Sequence, residues 1–307
     1  MDFMNNPIGQ AVREAAKLGT IVPAFNVPYL PMVEPVCQAL TEHKALGMVQ
    51  VARLELYKFE SRSLAAVAEE YHKYANREYV TLHLDHIPVI DEDNLTVDWK
   101  ALIAEALDLG YDSVMIDGSR LALDGNIEVT SEVVAMAHAK GVVVEAELGA
   151  VVGHESGPMP PYEELFASKK GFTDPDEARR FAQETKVDWL SVSVGTVHGA
   201  ISPATKDQEK IHARIDIEQL KLLRDATGIP LVLHGGSGVP REYIDRAVAT
   251  GIAKINIATD IRQPYERTLA SGGSLQDAQE AVRAGVVDLV CNVYEIAGSA
   301  ERLGFTR

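Results

Sequence analysis

One rhythm repeats along this chain from end to end. A short apolar run rich in β-branched residues is followed by a longer stretch with helical spacing, and then by another short run. The short runs fall at Thr20–Asn26, Gly47–Ala52, Tyr79–Asp85, Ser113–Asp117, Val142–Glu147, Trp189–Val194, Pro230–His234 and Ala253–Ile257. Between them the pattern predicts helices over Met32–Lys44, Ser61–Asn76, Asp98–Leu109 and Asn126–Ala139. Four more are expected over Asp174–Thr185, Asp216–Ala226, Pro240–Thr250 and Ser274–Asn292. Asp174-Pro175 offers a capping residue followed by a proline for the first turn, and Gly110, Gly141, Gly228 and Gly251 each stand just past a helix-like stretch.

Strands that are apolar at nearly every position belong in a parallel sheet buried on both faces. An open doubly wound sheet is the rival architecture, and the count of eight favours a closed (β/α)8 TIM barrel. Such a barrel takes roughly 250 residues, and 307 leave room for insertions. No linker, low-complexity tract or shift of composition divides the chain, so residues 1–307 read as a single catalytic domain. Two connections exceed simple turns: Ile87–Val97, acidic and proline-containing, and Gly149–Gly171, rich in glycine, proline and charge. Loops of that length in a compact domain often serve as lids or binding loops.

Charge narrows the partners. A net charge of −16 argues against nucleic acid and against an anionic membrane surface, since both reward clustered Lys and Arg. A phosphate site on such a chain has to be local and built from backbone amides. Cys37 and Cys291 lie far apart with no Cys-x-x-Cys spacing, which reads as a reducing, cytoplasmic setting. Residues 1–10 lack the basic-then-apolar order of a signal peptide, and no apolar run is long enough to span a bilayer.

The polar residues are informative by position. Strand after strand ends in a group able to bind a metal or move a proton: Asn26, Asp85-His86, Asp117, Glu147, His198, His234 and Asn256. In a barrel these ends converge on one face, where active sites of this fold sit. A lone histidine at a strand end is ordinarily a hydrogen-bonded structural residue. Three together, His86, His198 and His234, two of them followed by glycine, form the ligand set of a catalytic zinc site with an open position. His83 reads as a structural or supporting group, and His43, His72, His138, His154 and His212 as surface residues. The turn His234-Gly235-Gly236-Ser237-Gly238 exposes backbone amides at a strand-to-helix junction, and Asn256-Ile257-Ala258-Thr259 ends the next strand. Those are the seventh and eighth strands, after which barrels usually bind phosphate. Neither a Walker loop nor a dinucleotide fingerprint is present.

These segments, in this order and over essentially the whole chain, resemble the class II fructose-bisphosphate and tagatose-bisphosphate aldolases. The likeness is carried by Leu82-His83-Leu84-Asp85-His86, Ser113–Ser119, Val144–Gly149, Gly195-Thr196-Val197-His198-Gly199, Leu231–Gly238 and Lys254–Thr259. It implies that His86, His198 and His234 hold the catalytic zinc, with Asp117 and Glu147 at an alternative or resting metal position. It further implies that Asp85 exchanges a proton at the bond that breaks and that Glu155, on a loop, takes the proton from the enolisable carbon. Gly199, Gly235, Gly236, Ser237, Asn256, Ile257, Ala258 and Thr259 would then bind the phosphate of dihydroxyacetone phosphate. A monovalent cation near that phosphate, and a homodimer or homotetramer, are implied in the same way. The expected reaction is reversible cleavage of a ketose 1,6-bisphosphate to dihydroxyacetone phosphate and glyceraldehyde 3-phosphate, with zinc stabilising an enediolate as a Lewis acid. The other route, a lysine Schiff base, would fall to Lys254, which reads better as a strand-end or barrel-floor lysine.

The departures bear on the substrate. Ala200-Ile201 stand where many fructose-type members carry Tyr-Lys. Ala258 matches the tagatose type, whereas Arg262 sits where fructose-type members place an arginine for the distal phosphate. At the end of the second strand Gln50-Val51-Ala52-Arg53 replaces Gln-x-Ser. Arg53 either reaches a carboxylate or second phosphate, or is a solvated surface residue. The loop of Glu155 lacks the usual double glycine. Together these raise the expectation of an aldehyde other than glyceraldehyde 3-phosphate. Two rivals are a barrel metal-dependent hydrolase, for which His83 and His86 have the wrong spacing, and a catalytically silent sugar-phosphate-binding barrel.

Overall fold

The computed structural model describes residues 6–149, 161–196, 213–236 and 239–305. Eight parallel strands close into a barrel in strict sequence order, the last pairing with the first. They are β1 (Val22–Asn26), β2 (Gly47–Ala52), β3 (Val80–Pro88), β4 (Ser113–Asp117), β5 (Val143–Leu148), β6 (Trp189–Val192), β7 (Leu231–Leu233) and β8 (Ile252–Ile257). The eight expected runs all correspond to strands. The largest difference is at β3, which runs three residues further, through His86 to Pro88.

The helices on the outside are α1 (Pro7–Leu18), α2 (Val33–Glu42), α3 (Arg53–Lys58), α4 (Leu64–Tyr74), α5 (Trp99–Asp108) and α6 (Leu123–His138). They continue with α7 (Tyr162–Ser168), α8 (Pro175–Thr185), α9 (Ile217–Thr227), α10 (Arg241–Thr250), α11 (Thr259–Ala270), α12 (Leu275–Asp288) and α13 (Ser299–Arg302). Five of these have no counterpart in the periodicity: α1, α3, α7, α11 and α13. The stretch taken as one helix through Asn292 is α12 followed by a π-helical turn over Leu289–Val293. Asp174 caps α8 as its Asp-Pro start implied, accepting from the amides of Asp176 and Glu177.

Two apolar clusters build the core. The larger lies between the outer faces of the strands and the helices. The smaller plugs the N-terminal end of the barrel, where Ile8, Val12 and Ala15 of α1 meet the inward-facing Met48, Trp189 and Val232. With that end filled, inward positions nearer the C-terminal ends are free to be polar. Gln50, His83, Glu145, Ser191 and Lys254 are all fully buried there.

The Ile87–Val97 connection, expected as a lid or binding loop, folds back on itself through an Ile90–Thr96 bridge. Asp91 accepts from the amides of Asp93 and Leu95 and pairs with Arg53 at 3.2 Å. Arg53 therefore has a carboxylate partner in the chain itself. His138, taken as a surface residue, is half-buried and contacts Asp188 at 2.8 Å.

The end of β5 depends on one glycine. Gly149 has φ +86, and a Cβ there would stand 2.6 Å from Thr173 Oγ1 and 3.0 Å from the Gly171 carbonyl. The Thr173 hydroxyl joins β5 to β6, donating to the Leu148 carbonyl at 2.5 Å and accepting from the Ser193 amide at 2.8 Å. Gly149→Ala is expected to cost about 2–4 kcal/mol, the sum of left-handed strain and a clash against backbone. Urea unfolding monitored by circular dichroism measures this, and a change under about 0.5 kcal/mol, the range of neutral surface substitutions, would contradict it.

Candidate active site

Alternation along a strand should send Asp85 and His86 to opposite faces. The chain avoids this with an irregularity. The pairing of β3 with β4 slips between Leu84 and Ile87, and His86 adopts φ +35, an uncommon value for a residue with a Cβ. The kink turns both side chains onto the C-terminal mouth. Strain of this kind persists only where surrounding contacts impose it, and it concentrates at functional sites.

The His86 and His234 rings face each other, with His86 Nε2 and His234 Nδ1 2.7 Å apart. On its other side His234 Nε2 lies 2.8 Å from Glu145 Oε1. A proton on Nε2 shared with that carboxylate leaves Nδ1 with its lone pair directed at His86, the usual way a carboxylate orients a ligand imidazole. His86 Nδ1 is 3.6 Å from Asp117 Oδ2, and its Nε2 is 4.0 Å from Glu147 Oε2. Two overlapping groups thus have donor atoms gathered closely enough to hold one ion: Asp85, His86 and His234, and His86, Asp117 and Glu147. Imidazole nitrogens with carboxylate oxygens suit a divalent transition metal. His198, the third histidine of the expected set, lies outside the described residues, as do Glu155, Gly199 and Ser237.

Behind the histidines sits a buried charge network. Lys254 Nζ is 2.9 Å from Glu145 Oε2, both side chains fully buried, and it donates to Asn256 Oδ1 at 2.5 Å. His83 adds a ring 3.6 Å from the same Glu145 oxygen and 2.7 Å from Ser113 Oγ. Burial opposes ionisation of Glu145, but Lys254 and His234 hold its carboxyl well below the usual range. Burial, with the Lys254 charge, pushes His83 down to about 3. Burial also presses down on the His86 imidazolium, yet Asp85, Asp117 and Glu147 together lift it to about 10. Burial and the neighbouring Asp117 push Glu147 up to about 8. Asp117, although buried, is held down at about 2 by His86 and the Ser119 contacts. Adjacent carboxyls with pKa values driven apart are a common feature of functional sites.

Asp85 is fixed by three side-chain amides. Asn26 donates to Oδ2 at 2.9 Å and Gln50 to the same oxygen at 3.3 Å, while Asn256 donates to Oδ1 at 2.9 Å. Burial opposes ionisation of Asp85, but the surrounding His86, His234 and Lys254 keep its carboxyl below the usual range. Asn256, expected at the phosphate, thus directs its side chain to Asp85. Gly235 takes φ +67 beside Gly236, Ile257 ends β8, and Ala258 and Thr259 open α11. Arg262 is nearly buried and ion-paired with Glu266 at 2.7 Å.

Several residues of this site were not singled out from sequence. Glu145 carries a signal, since it lies two residues before Glu147 and alternation puts both on one face. Glu55 has none: it belongs to α3, which periodicity did not reveal. Its Oε2 accepts from the Ala52 amide at 2.8 Å and from Asn26 at 3.2 Å. Burial, reinforced by the Asp85 charge, pushes Glu55 up to about 8.

A closed barrel with a histidine–carboxylate cluster and a further buried carboxylate at its C-terminal mouth is an arrangement suited to metal-assisted chemistry. The model of the family described as fructose-bisphosphate aldolase class-II matches residues 6–302, and the chain belongs to that family. It is an aldolase, a carbon–carbon lyase. A fructose-bisphosphate aldolase of Giardia intestinalis is 33% identical over 274 residues, covering 82% of this chain and 78% of the relative. Among solved structures, the YdjI aldolase of Escherichia coli K12 superposes with a TM-score of 0.73 at 25% identity, covering 95% of this chain and 98% of the other. The fructose-bisphosphate aldolase of Campylobacter jejuni gives 0.71 at 20% identity, with 95% of each chain covered, a likeness of fold.

Glu145→Gln should weaken binding of added Zn2+ about 10–100-fold, the effect of losing a carboxylate that orients a ligand histidine. Competition against a chromophoric chelator measures this, and unchanged affinity would remove Glu145 from that role. Glu55 is harder to ionise in the fold than in the unfolded chain. Its contribution to stability is complete below about pH 4.5 and is lost as pH rises through about 8. Thermal melts across that window should decline less steeply for Glu55→Gln than for the parent, and parallel curves would contradict the assignment.

Proposed function

We propose that the chain reversibly cleaves a phosphorylated ketose to dihydroxyacetone phosphate and an aldehyde, with zinc as its metal. The observation that carries this reading is the convergence of His86 and His234, facing nitrogen to nitrogen at 2.7 Å, with Asp85 in the same group. His86, His198 and His234 hold the catalytic ion, while Asp117 and Glu147 share His86 at the resting position. When bound there, zinc supplies Lewis acidity to the ketone and hydroxyl oxygens of the sugar.

The residues of the chain do the rest. Asp85 takes the proton from the hydroxyl next to the breaking bond and returns it in the synthetic direction. Its three amide donors fix the carboxylate in place, and the neighbouring positive charges keep it ready to accept. Glu155 gives a proton to the dihydroxyacetone phosphate carbon in cleavage and removes it in the synthetic direction. Backbone amides of Gly235, Gly236, Ser237 and Gly199, with the Asn256–Thr259 segment at the start of α11, hold the phosphate. A monovalent cation would bind beside it. The working form is a homodimer or homotetramer in the cytoplasm, built from one domain. No helix among the described residues is long and apolar enough to cross a membrane.

Fructose 1,6-bisphosphate and tagatose 1,6-bisphosphate are the first substrates to consider, with glyceraldehyde 3-phosphate as the aldehyde. Ala258 favours tagatose and Arg262 favours fructose. A second reading, dihydroxyacetone phosphate with a different aldehyde, is favoured by the pairing of Arg262 with Glu266. The reaction is tested by following triose phosphate release from a panel of ketose phosphates with and without a zinc chelator. Chelation should abolish release and added zinc should restore it. Asp85→Asn should lower kcat about 10²–10⁴-fold with little change in zinc content. Chelator-resistant cleavage would overturn the metal assignment, and near-parental kcat in Asp85→Asn would overturn the role of Asp85.

A further inference from the structure

The metal cluster and the phosphate turn account for one half of a ketose phosphate. On the proposed aldolase reading, Asp85 marks the bond that breaks, so the aldehyde half lies beside Asp85. There the neighbours are Asn26 of β1, Gln50 of β2 and Glu55 of α3.

Among the described residues, Arg262, Arg53 and Lys58 of this sector are already matched. Arg262 pairs with Glu266 at 2.7 Å and lies over the Phe59 ring at 5.5 Å, and Glu266 also accepts from the Tyr29 hydroxyl at 2.8 Å. Arg53 pairs with Asp91 at 3.2 Å, and Lys58 pairs with Glu92 at 2.6 Å. Asp91 is itself held by two backbone amides of its loop, so its charge is fixed next to Arg53. A second phosphate would bring about −1.5 to −2 units of charge. It would have to displace Glu266 from Arg262 or Asp91 from Arg53, breaking a pair and leaving a partly buried carboxylate unmatched.

Glu55 offers the opposite. It is nearly buried, 6% exposed, and both of its hydrogen bonds fall on Oε2. Among the described residues Oε1 has no hydrogen-bond partner. A carboxyl group bonds a hydroxyl whether ionised or protonated, and once ionised it repels phosphate.

We propose that the aldehyde half of the substrate is an uncharged hydroxyaldehyde, and that Glu55 is the specificity-determining residue that binds its hydroxyl group. The substrate class is then a ketose 1-phosphate without a second phosphate or carboxylate. The inference rests on the aldolase reading and adds the chemistry of the distal end.

The test uses the zinc-loaded full-length protein. Cleavage of fructose 1-phosphate and tagatose 1-phosphate is compared with cleavage of the two 1,6-bisphosphates. In the synthetic direction, glycolaldehyde and glyceraldehyde are compared with glyceraldehyde 3-phosphate. The parent should favour the uncharged series by at least about tenfold in kcat/KM, the scale of one well-made polar contact. Glu55→Leu should lose that preference mainly through KM, with zinc content and melting profile checked to exclude misfolding. Glu266→Gln, which releases Arg262, should raise kcat/KM for the bisphosphates and narrow the ratio. A parent that cleaves bisphosphates as well or better overturns the inference and leaves the aldolase reading intact. Zinc-dependent exchange of dihydroxyacetone phosphate protons with solvent, without addition to any uncharged aldehyde, overturns it in the same way. Neither exchange nor cleavage by zinc-loaded protein overturns both.

Discussion

The contact on which the mouth of this barrel depends is the ion pair between Lys254 and Glu145, 2.9 Å apart and sealed from solvent inside the strands. Two charges buried together cost several kcal/mol each in lost hydration, and only close geometry with further hydrogen bonds recovers it. Here the recovery comes from the site itself. Glu145 uses its second oxygen on His234, and Lys254 uses a further donor on Asn256. Removing either partner would strand the other in a medium of low dielectric, so the pair specifies one arrangement of β5, β7 and β8. His234 is aimed by Glu145 and Asn256 by Lys254, and Asn256 in turn helps to hold Asp85.

From that contact the polar interior spreads in two directions. Towards β3 and β4 it reaches His86, Asp117 and Glu147, carboxyls close enough to compete for protons and to share an ion. Towards β1 and β2 it runs through Asp85, Asn26 and Gln50 to Glu55. The apolar plug under α1 makes both possible. Because Met48, Trp189 and Val232 already fill the N-terminal end of the barrel, the inward positions above them can carry charge without emptying the core. The β3 irregularity is the cost of bringing two consecutive residues to one face, and His86 bears it in its backbone.

The histidine–carboxylate cluster and the sector around α3 and α11 differ in how their charges are partnered. At the mouth, the ring nitrogens of His86 and His234 converge on each other at 2.7 Å, in a group whose donor atoms could hold an ion. Around α3 and α11, Arg53, Lys58 and Arg262 already have carboxylate partners within the chain. The departure from the family pattern at Arg53 and the long Ile87–Val97 connection fall together in space. Arg53, new at the end of β2, is neutralised by Asp91, contributed by that connection. Two sequence oddities that look independent are thus one compensated pair.

The sequence by itself determined the barrel, because strands apolar on both faces at eight regular intervals have few other ways to be buried. It also determined the reacting face, since polar residues at successive strand ends converge once the strands are parallel. His86, His234, Asp85, Asp117 and Glu147 were legible for that reason. Only the tertiary structure decided how they are aimed. The kink at His86 comes from the pairing of β3 with β4, which a one-dimensional pattern of alternation cannot contain. The helix bearing Glu55 spans six residues, too short to display a period, and the helix that begins at Thr259 follows its strand after a single residue. The partners of Arg262, Arg53 and Lys254 are likewise set by packing. A charged side chain reads the same in sequence whether it faces solvent, a substrate or a carboxylate brought to it by a distant part of the chain.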